Sequence, residues 1–142
     1  MVQHHHRRHV WLAAAVWLAP ALVTAEQPAS LTSTPGDAGR GVRLVIDAEK
    51  GNCVICHAIP GDAIPEDAAG DIGPPLDGVG GRLNAAQLRQ RVVDPQAMTP
   101  GTIMPGYHVT EDLHRVQRRY AGRPILTAQE IEDVVAYLQT LR

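Results

Sequence analysis

The segment Gly51-Asn52-Cys53-Val54-Ile55-Cys56-His57 holds the only two cysteines of the chain, three positions apart, with a histidine directly after the second. Two thiols at this spacing can each form a thioether to one edge of a porphyrin, while the adjoining imidazole reaches the iron from one face. The pattern predicts one covalently attached haem c, with Cys53 and Cys56 as attachment points and His57 as proximal iron ligand. Other uses of these residues fit less well. A Cys-x-x-Cys redox pair calls for alternating strands and helices around it, and no such pattern surrounds this site. A structural zinc needs four ligands, and beyond Cys53, Cys56 and His57 the chain has no further thiol and no second pair at ligand spacing. A disulfide between residues so near in sequence would close a tiny loop of little benefit.

The N-terminus indicates where such a haem would be attached. Arg7 and Arg8 follow a histidine cluster, His4 to His6, and precede an apolar run from Val10 to Val23 interrupted only by Pro20, then Thr24 and Ala25. This reads as a signal peptide over residues 1–25, cleaved after Ala25. Its apolar run of about 14 residues is short of the roughly 20 that a spanning helix needs, so no membrane span is expected after cleavage. The Arg7-Arg8 pair invites a twin-arginine route, but its neighbours are unlike that signal, so ordinary export to the periplasm is expected.

Residues 26–142 number about 117, enough for one domain. Within them, residues 26–37 are rich in Pro, Ser, Thr and Ala and form a flexible lead-in, leaving 38–142 as the folded domain. The 26–142 portion carries 11 basic against 15 acidic residues, a formal charge of −4 that excludes nucleic acid as a natural partner. Trp11 and Trp17 lie in the leader, so Tyr107, Tyr120 and Tyr137 are the only aromatics of the domain. A small domain so poor in large side chains needs another apolar mass, and a buried porphyrin supplies it. The haem-free chain is therefore expected to be largely disordered.

Three helices are legible. Gly41 to Lys50 carries Val42, Val45, Ile46 and Ala48 between charges and is expected to end at Gly51. Asn84, with Gln87 three residues on, opens a helix through Leu88 and Val92 that Asp94-Pro95 stops. Thr127 and Glu130 form a capping box before a stripe of Ile131, Val134, Val135, Leu138 and Leu141. From His57 to Gly106 stand seven prolines and eight glycines, which predicts loops. No period-two pattern persists, so the fold class is all-α, with three or more helices and Gly/Pro-rich loops wrapped around one haem.

The distal iron ligand must come from Met98, Met104, His108 or His114. Met104 is preferred because it sits in Pro100-Gly101-Thr102-Ile103-Met104-Pro105-Gly106, a loop stiffened by proline on either side. Met98 lies in a looser turn, and His108 and His114 read as solvated surface residues. A haem histidine normally donates its second ring N–H to a fixed acceptor, and Gly73-Pro74-Pro75-Leu76 offers the Pro74 carbonyl in a stiff loop.

With these motifs in place the chain resembles a class I cytochrome c over about residues 38–142. In that family the terminal helices cross at a small residue and an aromatic, which implies Gly41 and Val45 facing Tyr137. More narrowly, Gly51-Asn52-Cys53-x-x-Cys56-His57-Ala58-Ile59-Pro60, Gly70-Asp71-Ile72-Gly73-Pro74-Pro75-Leu76, Asp94-Pro95 and Thr102-Ile103-Met104-Pro105 resemble the SoxX family. So does the ending from Leu126 to Leu138. These are the small monohaem subunits of the bacterial sulfur-oxidising system. The resemblance implies a SoxA-type partner and, through it, the SoxY-SoxZ carrier, to a cysteine of which thiosulfate is joined oxidatively, with a further electron acceptor downstream. It also implies a chain that is not catalytic alone but is the electron-transfer subunit of a heterodimeric L-cysteine S-thiosulfotransferase. Once both cysteines are tied to haem, no thiol remains to carry sulfur, in keeping with that division. Two other readings stay open: a free-standing electron carrier serving a respiratory chain, and a catalytic haem protein, which would require an open distal position.

Overall fold

A computed structural model of the chain describes residues 29–65 and 70–142. The expected leader over 1–25 lies outside the described residues. The helices run in the order α1 (Ala38–Ile46), α2 (Val79–Arg82), α3 (Ala85–Val93), α4 (Pro95–Met98) and α5 (Ala128–Thr140). Single 3-10 turns stand at Cys53–Ile55 and Arg118–Tyr120, and no strand occurs among the described residues. The architecture is all-α, as expected.

Both capping boxes form. The Asn84 side chain accepts from the Gln87 N–H at 2.9 Å while the Gln87 side chain accepts from the Asn84 N–H at 3.0 Å, opening α3. Thr127 and Glu130 do the same for α5, at 3.3 and 2.8 Å. The five apolar residues expected as the α5 stripe are all buried.

The boundaries of α1 differ from the sequence expectation at both ends. The helix begins at Ala38, because the Asp37 carboxylate caps it by accepting the Arg40 N–H at 2.8 Å. It ends at Ile46, not Gly51. The Asp47 side chain accepts the Glu49 N–H at 2.9 Å, and the Gly51 and Asn52 N–H groups turn back to the Leu44 and Asp47 carbonyls at 3.0 and 3.1 Å. Residues 47–52 thus satisfy the helix end with a reverse turn, a local alternative that aspartate offers the backbone.

Helices α1 and α5 cross at Gly41. A Cβ there would lie 2.1 Å from the Asp133 carbonyl oxygen and 2.7 Å from the Tyr137 Cβ, so only glycine permits the approach. Val45, one turn on, is fully buried. The expected facing of Gly41 and Tyr137 is present.

The acidic residues of α5 are where pattern reading missed most. Glu130 pairs with Lys50 at 2.7 Å, Asp133 with Arg40 at 2.7 Å, and Glu132 with Arg89 of α3 through two contacts of 2.7 and 2.8 Å. Each joins α5 to a different segment. Residues 29–37 contain no helix or strand, yet the Leu31 and Asp37 N–H groups donate to Glu132 and Asp133, both at 2.8 Å. The described part of the lead-in is therefore strapped along α5.

Burial alone would raise the Glu132 carboxyl, but the hydrogen bond from Arg89 and that from Leu31 N–H outweigh it and hold the group below the ordinary 4.5. A carboxyl lowered by folding stabilises the fold above its unfolded value, and that stability is lost as pH falls through the lower folded value. Glu132→Gln is expected to destabilise the holoprotein by about 3 kcal/mol at neutral pH, because it breaks a buried pair. In denaturant melts the gap to the parent chain should narrow as pH falls below the ordinary carboxylate range. A gap that stays constant into acid would show that the charge of Glu132 is not its source.

Candidate haem site

The turn after α1 delivers the chain to the Cys-x-x-Cys-His segment. Asn52 takes a left-handed conformation (φ 46°, ψ 38°), after which the backbone coils as a 3-10 turn. The Cys56 and His57 N–H groups both donate to the Cys53 carbonyl, at 3.1 and 2.9 Å. This tight coil turns Val54 into the core and leaves Cys53, Cys56 and His57 on the wall of one cavity. Burial pushes the Cys53 thiol up to about 11.

Residues 70–76 lie alongside this segment and zip to it. Gly70, Gly73 and Leu76 N–H groups donate to the Val54, Cys56 and Ala58 carbonyls at 2.9, 2.7 and 2.9 Å. The register brings the Pro74 carbonyl to 2.7 Å from His57 Nδ1. A carbonyl can only accept, so Nδ1 carries the hydrogen and Nε2 keeps its lone pair for a metal. Gly73 makes room for the imidazole: a Cβ there would meet the ring at 2.4 Å.

The cavity measures about 800 Å³, within the range of about 300–1,000 Å³ typical of ligand sites. Its apolar wall includes Val45, Leu88, Val92, Leu126, Val134 and Leu138, drawn from α1, α3, α5 and the segment before α5. Lys50, Arg82 and Arg91 also line it, which suits a flat apolar ring bearing carboxylates. Size, apolar lining, paired thiols and a poised imidazole all fit haem. The three cations escaped the sequence reading, because nothing in their spacing marks them.

Met98 and Met104 both line the cavity. Met104 is half-buried and packs against the core, its N–H donating to Thr102 Oγ1 at 3.3 Å, whereas Met98 ends the short helix α4 and is 37% exposed. Of the two candidate histidines, His114 is exposed, as expected. His108 is not a solvated surface residue: it is half-buried and its Nδ1 lies 2.7 Å from the Leu126 carbonyl, which accepts its hydrogen. Its ring is committed to holding the chain before α5.

Tyr107, three residues after Met104, was not singled out from sequence. It is buried and its hydroxyl donates to the Gly51 carbonyl at 2.8 Å, while its own N–H and carbonyl bond to Val92 and Leu126 at 3.1 and 2.8 Å. One residue thus ties the Met104 loop to α3, to the chain before α5, and to the turn that carries the cysteines. Burial raises the phenol well above its usual value. Its rarity as an aromatic in this chain is the signal that marks it.

The family model for cytochrome c matches residues 38–142, spanning the cysteine pair, the Pro74 loop, Met104 and both terminal helices. The chain belongs to the cytochrome c family. As such it carries a covalently bound haem c, whose attachment motif Cys53 and Cys56 fit. Among solved structures this cytochrome is similar to SoxXA from P. pantotrophus, at 43% identity and a TM-score of 0.72, covering 80% of this chain and 88% of that one. It also matches an uncharacterized lipoprotein of Aquifex aeolicus at 33% identity over 92 residues, which is 64% of this chain and 37% of that protein. The cytochrome thus spans little more than a third of that relative's length. Fold and motifs accord with a class I c-type cytochrome of the SoxX kind. No helix among the described residues is long and apolar enough to cross a membrane.

Proposed function

We propose that this cytochrome is the exported electron-transfer subunit of a SoxX–SoxA-type pair, acting during thiosulfate oxidation on the SoxY-SoxZ carrier and passing electrons to a downstream acceptor. The observation that carries the reading is that His57, held by the Pro74 carbonyl, and Met104 both line one apolar cavity. When bound, the haem supplies a one-electron iron couple. Cys53 and Cys56 hold it by thioethers. His57 Nε2 is the proximal donor, and the Nδ1–H bond to Pro74 fixes the ring plane and makes the imidazole a stronger donor. Met104 would supply a thioether to the iron, which would favour the reduced state and let the site accept electrons readily. With both thiols tied to haem and His57 and Met104 engaged at the iron, the chain would have no group free to bond sulfur, in keeping with sulfur chemistry on the partner.

The 43% identity to a chain of SoxXA, extending over 88% of it, supports the choice of partner. Co-expression with a SoxA-type cytochrome should yield a stable heterodimer in size-exclusion chromatography, with thiosulfate-dependent reduction of this haem only in the pair. A monomer that exchanges electrons fully and never associates would instead establish a free-standing respiratory carrier.

A further inference from the structure

Residues 113–123, Leu113-His114-Arg115-Val116-Gln117-Arg118-Arg119-Tyr120-Ala121-Gly122-Arg123, contain four arginines and no acid. This is anomalous on a chain whose residues 26–142 carry 11 basic against 15 acidic groups; without the four, the ratio would be 7 to 15. All four are exposed, and among the described residues none pairs with a carboxylate. Arg40, Lys50 and Arg89, by contrast, are each engaged in ion pairs. Arg43, Arg82, Arg91 and Arg142 have no carboxylate pair among the described residues either, but they are dispersed along the sequence, so residues 113–123 are the densest run of positive charge on an otherwise acidic molecule.

The segment has a defined shape. Asp112 and Arg115 take left-handed conformations, at φ 57° and 60°, and the Tyr120 and Arg123 N–H groups close successive turns onto the Gln117 and Tyr120 carbonyls at 2.8 and 3.0 Å. Arg119 stacks over the Tyr120 ring at 4.8 Å. Beside the arginines, Leu113 before Arg115 and Val116 after it stand 48% and 39% exposed. Glu111 and Asp112 directly precede it in sequence, and the Tyr120 hydroxyl donates to Glu49 Oε2 at 3.5 Å. That last contact places the segment against the turn whose next residues, Lys50, Gly51 and Asn52, line the haem cavity.

Four exposed cations around two apolar side chains suit a transient protein contact, in which charge guides encounter and a small apolar centre completes it. A small anion would need convergent, desolvated donors, and these side chains are solvated. A bilayer would need a broader apolar face with aromatic anchors. We propose that residues 113–123 are a docking strap for an acidic electron-transfer protein, steering it to the side of the molecule where the 49–53 turn leads into the haem. The inference rests on reading the haem as an electron-transfer centre, and not on the identity of the SoxA-type partner.

The test uses reduced holoprotein mixed with oxidised plastocyanin, an acidic blue-copper protein, in stopped flow. The second-order rate should fall about tenfold as ionic strength rises from about 0.01 to 0.1 M, where screening shortens the reach of charge from about 30 to 10 Å. The R115Q/R118Q/R119Q/R123Q variant should be about tenfold slower at low salt and lose that dependence. Tris(phenanthroline)cobalt(III), a cationic oxidant, should oxidise the variant at least as fast as the parent, showing an intact haem. Normal cobalt rates with salt-independent plastocyanin rates in both proteins would overturn the strap alone. Failure of the parent with both oxidants would overturn the electron-transfer reading and the strap with it. Equal plastocyanin rates, with binding to phosphatidylglycerol vesicles lost only in the variant, would reassign the surface to membranes and overturn the proposal.

Discussion

A Cys53→Ser/Cys56→Ser chain, produced without haem, is expected to show little helix by far-ultraviolet circular dichroism and no cooperative melt. The reason lies in where the haem cavity sits. Val45, Leu88, Leu126 and Val134, each at most 2% exposed, form part of the cavity wall and belong to the same core that joins α1, α3 and α5. Without haem this apolar space of about 800 Å³ opens to water, and side chains from α1, α3 and α5 lose the surface they would pack against. A domain of this size has only about 5–15 kcal/mol of stability in total. Losing the shared packing centre of three helices is large against that reserve. The ion pairs of α5 cannot compensate: Arg40–Asp133 and Lys50–Glu130 are partly solvent-exposed, and a buried pair such as Arg89–Glu132 gains little net stability over apolar packing. A haem-free double variant with native helix content and a sharp thermal transition would refute this account and show that α1, α3 and α5 hold together alone.

The same contrast between local and distant interactions explains what the sequence could reveal. Asn84-x-x-Gln87 and Thr127-x-x-Glu130 are reciprocal contacts within four residues, so they announce α3 and α5 without knowledge of the fold. Cys53, Cys56 and His57 are constrained by the porphyrin itself, and Pro74 by the proline pair that stiffens its loop. The end of α1 was hidden because Asp47 can either continue a helix or turn back onto it, and the Gly51 bond to Leu44 decides between them. Helices α2 and α4 span four residues each, too few for a period to register. Glu132 and Asp133 stand beside the apolar stripe with nothing local to mark what they bind. Their partners, Arg89 and Arg40, lie 43 and 93 positions away, a separation that periodicity cannot bridge. Tyr107 and His108 were obscured for the same reason, since their acceptors Gly51 and Leu126 become neighbours only after the chain closes.

Met104→Ala should remove the absorption band characteristic of a methionine–iron bond in the oxidised holoprotein, whereas Met98→Ala should retain it. Both side chains reach the cavity, so position along the wall alone does not choose between them. Anchoring does. Met104 is half-buried between Pro105 and a backbone bond to Thr102, and Tyr107 three residues on is locked to Gly51, Val92 and Leu126. That network restrains the Met104 loop relative to the cysteine-bearing turn, which a sulfur must be if it is to stay on iron through redox cycles. Met98 ends a one-turn helix on Thr99, with more than a third of its surface in solvent. Loss of the thioether should lower the potential by on the order of 0.1 V or more, within the span of about 0.8 V that axial ligands control. The opened position should also bind cyanide rapidly, which the parent should resist. Because Tyr107 and Pro74 are untouched, the Met104→Ala protein should keep its helix content and its His57 ligation, so the spectral change cannot be ascribed to unfolding. An unaltered spectrum in Met104→Ala, with the band lost in Met98→Ala, would move the distal ligand to α4 and require the 99–104 loop to serve only as cover.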